Sequence, residues 1–327
     1  MKKNREKLIV LALGGNALME KGKESIAEQF AAARKSLVPV VELIEKGYDF
    51  LISHGNGPQV GVIMEAVDAG KKANPKLPDT PLGVAVAQTE GSIGYMVEQC
   101  LQNMMIQRSG KITRSVVTVP TQVVVSKDDP SVKNPSKYIG MFYTEEEAKK
   151  LQAEKGWIMK ADSNRGWRRV VPSPYPIDIV EKDAINALLD NDYVVIAGGG
   201  GGIPVYYEDS GERKGWIEGM DAVIDKDFAT MKLAIATGSN TLIIVTGVRK
   251  VCTDFGKPTQ KEWPRMTVSE AEKFLKDGQF PGGSMGPKIQ AAIDFVKADK
   301  KNKAIITDIE FLPAAIEGKD GTEIVVG

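Results

Sequence analysis

The chain has 327 residues and a mass of 35.4 kDa, with 42% hydrophobic and 26% charged residues, as is typical of a globular enzyme. Its 43 basic and 43 acidic residues cancel, which argues against nucleic acid or an anionic membrane surface as a partner. Two cysteines and one histidine are too few for a disulfide framework or for a metal site built on these residues. We therefore expect small molecules or copies of the same chain as partners, and a reducing cytoplasm as the compartment.

The chain begins with a basic segment and the apolar run 8–13. This run is shorter than the apolar region of a secretion signal, and it leads directly into Gly14 and Gly15. No stretch of the sequence approaches the length of a membrane span. We interpret the run as a buried first strand that ends in a glycine turn.

Short apolar runs alternate with helical patterns along the rest of the chain. The predicted strands, which look buried on both faces, cover residues 8–13, 50–52, 114–119, 193–197, 241–245 and 304–307. The predicted helices cover residues 26–44, 91–106, 178–190, 268–276 and 286–296. Because strand, turn and helix recur in that order, the sequence predicts an α/β fold with an open, mostly parallel sheet.

One segment, from about residue 126 to residue 179, departs from this alternation. It is rich in proline and charge, which is typical of an excursion from a sheet. Trp157, Trp167 and Val170 provide apolar anchors that disordered segments usually lack. We interpret the segment as a small ordered lobe or lid.

Four glycine-containing turns follow predicted strands, at residues 14–15, 55–57, 198–202 and 246–248. Glycine lets backbone N–H groups approach an anion closely and adopt positive φ. Each turn alone is equally compatible with an ordinary strand ending. Since ligands of parallel sheets bind beyond the carboxyl ends of the strands, the four together favour a phosphate site.

Lys226 stands between Asp225 and Asp227, directly after an apolar approach. Phosphoryl transfer spreads negative charge over phosphate oxygens, so its catalysis depends on positioned cations and N–H groups. Lys226 is a candidate for such a cation. The alternative for this charge cluster is a solvated surface turn.

Common catalytic fingerprints do not account for these residues. There is no G-x-x-x-x-G-K-[ST] motif, and Val60 occupies the last glycine position of the G-x-G-x-x-G pattern that Gly55 and Gly57 begin. Protein-kinase motifs are missing. His54 is the one histidine and has no G-x-S-x-G sequence beside it, so a serine hydrolase is disfavoured and His54 is interpreted as a turn-organising residue.

Six motifs, in order and spacing, resemble those of the carbamate kinases within the amino acid kinase superfamily. They are L-G-G-N-A at 13–17, S-H-G-N-G-P-Q-V-G at 53–61, Q-T-E-G-S-I-G-Y at 88–95, G-G-G-G-I-P at 199–204, A-V-I-D-K-D-F-A at 222–229 and G-G-S-M-G-P-K at 282–288. Residues 133–140 and 166–174 are similar to the protruding subdomain of that family. The resemblance covers nearly the whole chain.

The resemblance implies a three-layer α/β/α sandwich with a small protruding subdomain. Residues 1–214 would form an amino-terminal, carbamate-binding lobe that includes this subdomain at about 126–179, and residues 215–327 would form the nucleotide-binding lobe. It also implies a homodimer and reversible, Mg²⁺-dependent transfer, ATP + carbamate = ADP + carbamoyl phosphate, running toward ATP in arginine catabolism. Because the attacking oxygen of carbamate is already anionic, this reaction requires no general base.

The same resemblance assigns roles to individual residues. The catalytic residues would be Lys133, Lys226, Asp227 and Lys288. Substrate would be bound by Gly14, Gly15, Asn16, Gly55 and Asn56, and the nucleotide by Gly199, Gly200, Asp225, Thr246, Gly247 and Val248. No protein ligand for Mg²⁺ is assigned, since this ion is often held by phosphates and water.

Cys252 follows the predicted strand 241–245 and the turn 246–248. This position suggests a reactive thiol near the nucleotide, and the alternative is an inert, partly buried thiol.

Two other functions remain open at this stage. One is a sensor that binds nucleotide and metabolite without transfer, since a fold does not fix a function. The other is a kinase for a larger carboxylate, such as an N-acetylated amino acid or aspartate. The volume of the pocket would separate the last possibility from carbamate.

Overall fold

The structure is a computed structural model that describes residues 5–19, 25–162, 166–280 and 284–327, with Asn16 described by its backbone only. The strands are β1 (Leu8–Leu13), β2 (Asp49–His54), β3 (Val116–Val119), β4 (Gln122–Val124), β5 (Lys137–Tyr143), β6 (Ile158–Ala161), β7 (Trp167–Val171), β8 (Asp178–Ile179), β9 (Val194–Ala197), β10 (Ile203–Tyr207), β11 (Ile217–Gly219), β12 (Thr241–Val245), β13 (Val251–Thr253), β14 (Lys261–Trp263), β15 (Arg265–Thr267), β16 (Lys303–Thr307) and β17 (Thr322–Val325). The helices are α1 (Gly15–Leu18), α2 (Ile26–Ser36), α3 (Val38–Glu45), α4 (Gly57–Ala73), α5 (Leu82–Ser109), α6 (Pro130–Lys133), α7 (Glu145–Lys155), α8 (Lys182–Asp190), α9 (Lys226–Thr237), α10 (Val268–Lys276), α11 (Met285–Ala298) and α12 (Leu312–Ile316), with 3₁₀ turns at Gly199–Gly201 and Ile309–Phe311.

An eight-stranded sheet organises the fold, in the order β15-β17-β16-β12-β1-β2-β9-β3. Its central strands are parallel to one another, and Leu11 of β1 lies opposite both Ile52 and Ile243. The β16–β17 pair is antiparallel. The predicted α/β class with a mostly parallel sheet is therefore confirmed.

The residues of β1 alternate between two apolar cores on opposite faces of this sheet. Leu8, Val10 and Ala12 pack in the core that also contains residues of α8, α9, α10 and α11. Ile9 and Leu11 pack in the core that contains residues of α2, α3, α5 and α12. Side chains of a strand point to alternate faces, so helices cover both faces and form the α/β/α layers.

Smaller sheets extend from this body. One has the order β11-β10-β4-β8, another pairs β13 with β14, and a third has the order β5-β7-β6. The third sheet and α7 share a small core of Tyr143, Ala148 and Met159, against which Trp157 and Trp167 pack. We refer to β5, β6, β7 and α7 as the hairpin subdomain.

Several predicted boundaries were wrong. The predicted helix 26–44 is two helices, α2 and α3, because Pro39 would remove a hydrogen bond inside one continuous helix but is tolerated in the first turn of a second. The predicted helix 91–106 extends over the whole of α5. Helix α5 continues through Gly94. Glycine is required at this position because a Cβ would lie 2.4 Å from Cγ2 of Thr118.

One further helix was missed, and another starts later than the sequence predicted. Helix α4 starts at Gly57 and Pro58, and proline fits the first turn of a helix. The predicted helix 178–190 starts only at Lys182, because Asp178 and Ile179 pair with β4 instead.

Candidate active site

The four glycine-containing turns lie side by side at the carboxyl edge of the main sheet. They follow β12, β1, β2 and β9, which are consecutive in the sheet. A Cβ on Gly14 would lie 3.0 Å from the carbonyl oxygen of Val245, and one on Gly55 would lie 3.5 Å from the backbone nitrogen of Gly15. Glycine therefore permits the close approach of neighbouring turns.

The turn after β9 requires glycine most strictly. Gly200 and Gly201 have φ angles of 67° and 102°. A Cβ would lie 2.1 Å from Nδ2 of Asn56 at the first position and 2.2 Å from the carbonyl oxygen of Ile224 at the second. The turn thus packs directly against two other segments of the site.

Helix α9 begins at the site and positions the first charged group. The Asp225 side chain caps the helix by accepting a hydrogen bond of 3.0 Å from the backbone nitrogen of Asp227. Lys226 and Asp227 therefore occupy the first turn, where the partial positive charge of a helix favours anions. Helix α11 packs on α9 and carries Lys288.

Asp227 lies between two lysines and is buried. Nζ of Lys288 donates to its Oδ2 at 2.7 Å. Nζ of Lys226 lies 3.0 Å from Oδ1, but the pair is not aligned as a hydrogen bond. Within the described residues neither of these two atoms has a hydrogen-bond partner, so the Lys226 ammonium remains available to a ligand.

Burial and charge act against each other in this cluster. Burial lowers the pKa of Lys226, while the neighbouring Asp227 carboxylate opposes the shift. Burial alone would raise the pKa of Asp227, but the charges of Lys226 and Lys288 outweigh it and the pKa is lowered. The carboxylate is thus held ionised between the two lysines.

Two cavities meet at these lysines. The first, of about 490 Å³, is lined by Gly14, Thr246 and Gly247 among others. The second, of about 350 Å³, is lined by Gly55 and Asn56 among others. Both linings include Gly15, Lys226, Ser284 and Lys288.

Most of the predicted site residues line one of the two cavities. Gly14, Thr246 and Gly247 line the first, Gly55, Asn56, Gly200, Asp225 and Asp227 line the second, and Gly15, Lys226 and Lys288 line both. The side chain of Asn16 and the motif glycines at 282 and 283 lie outside the described residues.

Lys133, Gly199 and Val248 line neither cavity. Lys133 ends α6 with an exposed side chain. Asp225 had been assigned to the nucleotide, but it lines the second cavity and not the one that contains Thr246.

Sequence reasoning missed two cations from the hairpin subdomain. Lys137 in β5 lines the second cavity, and its Nζ lies 3.3 Å from Oδ2 of Asp225. Arg168 in β7 lines the same cavity. Both belong to motifs that were recognised, but each motif contains a second cation, and only the fold separates the two.

A buried acid and a buried histidine lie behind Gly199. A Cβ on Gly199 would lie 2.4 Å from Nε2 of His54 and 3.2 Å from Cγ of Glu90. Burial lowers the pKa of His54 to about 4 and raises the pKa of Glu90 to about 8, so both are neutral at pH 7. Oε2 of Glu90 accepts a hydrogen bond of 3.0 Å from the backbone nitrogen of Thr121. Neither side chain lines either of these two cavities, and both lie against the glycine turn at Gly199.

Cys252 lies in β13, with 9% of the residue exposed, and lines neither cavity. Its Sγ lies 3.6 Å from Nε2 of Gln260. Burial raises the pKa of the Cys252 thiol, which lowers the fraction of reactive thiolate at neutral pH.

The described part of the chain contains no group of three or more His, Cys, Asp or Glu side chains arranged to hold a metal ion. In the same ranges, none of the helices has the length and apolarity needed to cross a membrane.

Comparisons with known proteins identify the family of the chain. The model of the amino acid kinase family matches residues 7–308. Carbamate kinase of Clostridium perfringens is 46% identical over 318 residues, which cover 97% of this chain and 99% of the relative. The structure of Giardia lamblia carbamate kinase bound to AMP-PNP has a TM-score of 0.91 and 39% identity, and the match covers 98% of this chain and 99% of that one. A second Giardia structure, described as thiocarbamoylated by disulfiram on a cysteine, has a TM-score of 0.89 and 39% identity and covers 99% of this chain and 100% of that one.

These similarities extend over nearly the full length of both chains. The range matched by the family model, 7–308, includes the glycine turns and the lysines. The chain belongs to the amino acid kinase family and, within it, to the carbamate kinases.

Proposed function

We propose that the chain transfers a phosphoryl group reversibly between ATP and carbamate. The observation that carries this proposal is the junction of the two cavities at Lys226 and Lys288. A nucleotide in the first cavity and carbamate in the second would meet at these cations. Positioned cations are the main requirement of phosphoryl transfer.

In the carbamoyl-phosphate-forming direction, a carbamate oxygen attacks the γ-phosphorus, the new O–P bond forms, and the bond to the β-phosphate oxygen breaks. Gly14 and Gly15 would provide backbone donors to the transferring group. Lys226 and Lys288 would neutralise charge on that group and on the leaving oxygen. Asp227 would orient both lysines. Gly55 and Asn56 would hold carbamate, which needs no general base because it is already anionic.

The subdomain lysine in this mechanism is proposed to be Lys137, and not the Lys133 that the motif first suggested. Lys137 lines the second cavity, whereas Lys133 is exposed on α6. The salt bridge of Lys137 to Asp225 joins the hairpin subdomain to the start of α9. Lys137 would then grip the substrate or the transferring phosphoryl group.

Mg²⁺ fits this site as a companion of the nucleotide. The carboxylates that line the second cavity, Asp225 and Asp227, already pair with lysines. Phosphate oxygens and water would therefore supply most of its ligands. When bound, the ion neutralises charge on the β- and γ-phosphates.

Cys252 is proposed as a modifiable thiol near the nucleotide. A cysteine of the Giardia enzyme is thiocarbamoylated by disulfiram. The strand β13 follows the turn that carries Thr246 and Gly247, which supports the same possibility for this chain.

We further propose a lobe division at 214/215 with a protruding subdomain at about 126–179, a homodimer formed through the amino-terminal lobe, and operation toward ATP in arginine catabolism. Val62 and Tyr95, which are 64% and 56% exposed on α4 and α5, support the dimer. A cytoplasmic location is supported by Cys100 and Cys252, which are both free thiols.

The test is formation of ATP from ADP, Mg²⁺ and carbamoyl phosphate, with acetyl phosphate as a competing donor and Lys226→Ala as the variant. We expect synthesis that depends on carbamoyl phosphate and that the variant loses by roughly 10²-fold or more. Nucleotide binding without synthesis would favour a sensor. Efficient use of acetyl phosphate in preference to carbamoyl phosphate would favour a different carboxylate.

A further inference from the structure

Strand β7 turns two adjacent arginines toward different cavities. Arg168 lines the second cavity, at which Lys137 and the lysines of α9 and α11 are also found. Arg169 lines a separate cavity of about 830 Å³, where it pairs with Asp221 and lies 4.5 Å from the ring centre of Trp157. Neighbouring strand residues point to opposite faces, so the two arginines have separate environments.

Arg168 is held in place by the hairpin subdomain itself. Its Nε donates to the carbonyl oxygen of Gly140 at 3.2 Å, and its Nη1 donates to Oδ2 of Asp162 at 3.2 Å. The guanidinium carbon lies 5.1 Å from the ring centre of Phe142 and 5.9 Å from that of Tyr138. These contacts fix the orientation of the planar group before any ligand arrives.

The remaining terminal nitrogen, Nη2, has no hydrogen-bond partner among residues 5–19, 25–162, 166–280 and 284–327. This nitrogen is accessible to a ligand, since the Arg168 side chain is 21% exposed and the residue lines the second cavity. A guanidinium offers further donors beyond the two in use. An oxyanion in the second cavity can therefore bind Arg168 without breaking its internal contacts.

The charges around that position suit a small planar or tetrahedral oxyanion. Lys226 and Lys288 approach the second cavity from the body of the protein, and Lys137 and Arg168 approach it from the hairpin subdomain. The free Nη2 carries N–H donors in the fixed plane of the guanidinium, a geometry that a lysine ammonium does not reproduce. Arg168 is outside the lining of the first cavity, where the nucleotide is proposed to bind.

We propose that Arg168 is a further substrate-binding residue, which contacts the anionic oxygens of carbamoyl phosphate, or of carbamate in the reverse direction, through Nη2. This inference rests on the proposed function. It assigns to the hairpin subdomain a donor of fixed, planar geometry in addition to the point charge of Lys137. The nucleotide receives no contact from it.

The test compares Michaelis constants for carbamoyl phosphate and for ADP in paired variants. Arg168→Lys keeps the charge near Asp162 but removes the planar guanidinium and its Nη2 donors. The double variant Asp162→Asn/Arg168→Met removes both charges of the internal ion pair, so that neither is left buried and unpaired. Arg169→Lys is the matched control, because it changes the next residue of the same strand on its other face.

For Arg168→Lys and the double variant we expect the KM for carbamoyl phosphate to rise roughly tenfold or more, with the KM for ADP changed less than about twofold. Arg169→Lys should leave both constants within about twofold of wild type. Thermal unfolding of each variant reports whether the subdomain remains folded.

Unchanged KM values for carbamoyl phosphate in both Arg168 variants, with an active wild type, would overturn this inference and leave the proposed function intact. Equal increases in both KM values, accompanied by a lowered Tm, would show a structural role and would also overturn it. A wild type that forms no ATP from carbamoyl phosphate would overturn the proposed function, and the role of Arg168 with it.

Discussion

The ammonium of Lys288 and the carboxylate of Asp227 form a 2.7 Å hydrogen bond between two helices, although the residues are 61 positions apart in the chain. The same carboxylate lies 3.0 Å from Nζ of Lys226. One buried acid therefore sets the separation of the two cations that both cavities share. The cluster is positively charged overall, which prepares it for a phosphate.

Asp227→Asn is expected to lower kcat by roughly 10²-fold, because the two lysines lose the charge that positions them. The free energy of unfolding should fall by about 3 kcal/mol, since two buried ammonium groups would lose their counterion. Steady-state kinetics and urea unfolding measure these effects. Asp209→Asn, in an exposed pair with Lys127, is the control and should change neither. A kcat within twofold of wild type would remove Asp227 from the mechanism.

Lys137→Ala and Lys133→Ala separate the two candidate lysines of the same motif. We expect Lys137→Ala to lower kcat/KM for carbamoyl phosphate by roughly 10²-fold, because Lys137 lines the second cavity. Lys133→Ala should have less than about a twofold effect, because its side chain is exposed. The opposite pattern of losses would restore Lys133 to the site.

Glu90→Gln tests the buried acid behind the glycine turn. Burial raises the pKa of Glu90 from 4.5 to about 8, so between these pH values the folded protein holds a proton that the unfolded chain releases. The contribution of Glu90 to the free energy of unfolding is fully present below pH 4.5 and is lost as the pH rises through about 8. Glutamine is neutral at all of these pH values, so Glu90→Gln removes this part of the pH dependence of the free energy of unfolding.

From pH 6 to pH 8.5, wild type should therefore lose about 2 kcal/mol more unfolding free energy than Glu90→Gln. Urea titrations at both pH values measure the difference. Glu65→Gln, at an exposed position of α4, should follow wild type. Parallel pH profiles for wild type and Glu90→Gln would show that Glu90 is ionised in the folded protein at pH 6.

Gly200→Ala is expected to displace Asn56, because the added Cβ would lie 2.1 Å from its Nδ2. We expect at least about a tenfold loss of kcat/KM for carbamoyl phosphate, since Asn56 lines the second cavity. Gly211→Ala is a matched control: its φ of 70° resembles the 67° of Gly200, but no atom lies within 4 Å of its Cβ position. It should show the backbone strain alone, as a small loss of stability. Equal kinetic losses in both variants would assign the effect to strain.

Alkylation of Cys252 is expected to lower ATP formation by crowding the nucleotide. The reaction should be slow at pH 7 and faster at pH 9, because burial raises the pKa of this thiol. Mass spectrometry of the treated protein, combined with its turnover rate, measures both effects, and Cys252→Ala should resist inactivation. If fully alkylated protein turned over normally, the thiol would have no connection to the nucleotide.

The pattern of apolar residues along the chain predicted the central strand β1, but it did not predict helix α4 or the roles of several side chains at the site. The run 8–13 was correctly predicted as a strand because it is apolar on both faces, and such runs belong to sheets covered on both sides. Helix α4 was missed because Gly57 and Pro58 also read as a turn. Lys133 was assigned from the motif and Lys137 was not, because the sequence does not show that Lys137 lies in β5 and lines the second cavity while Lys133 ends α6. Glu90 belongs to the recognised motif 88–95, but no role was predicted for it, because Gly199 is far away in the sequence and comes close only in the fold.

The adjacency of β12, β1, β2 and β9 also fixes the width of the site. Neighbouring strands lie about 4.8 Å apart, so the four turns span about 14 Å, a distance set by backbone hydrogen bonds. Substitutions of side chains can change what binds at each point along this span without changing its length. The length of a synthetic ligand that joins a nucleoside to a carbamate mimic must therefore match a distance that the backbone of the sheet fixes.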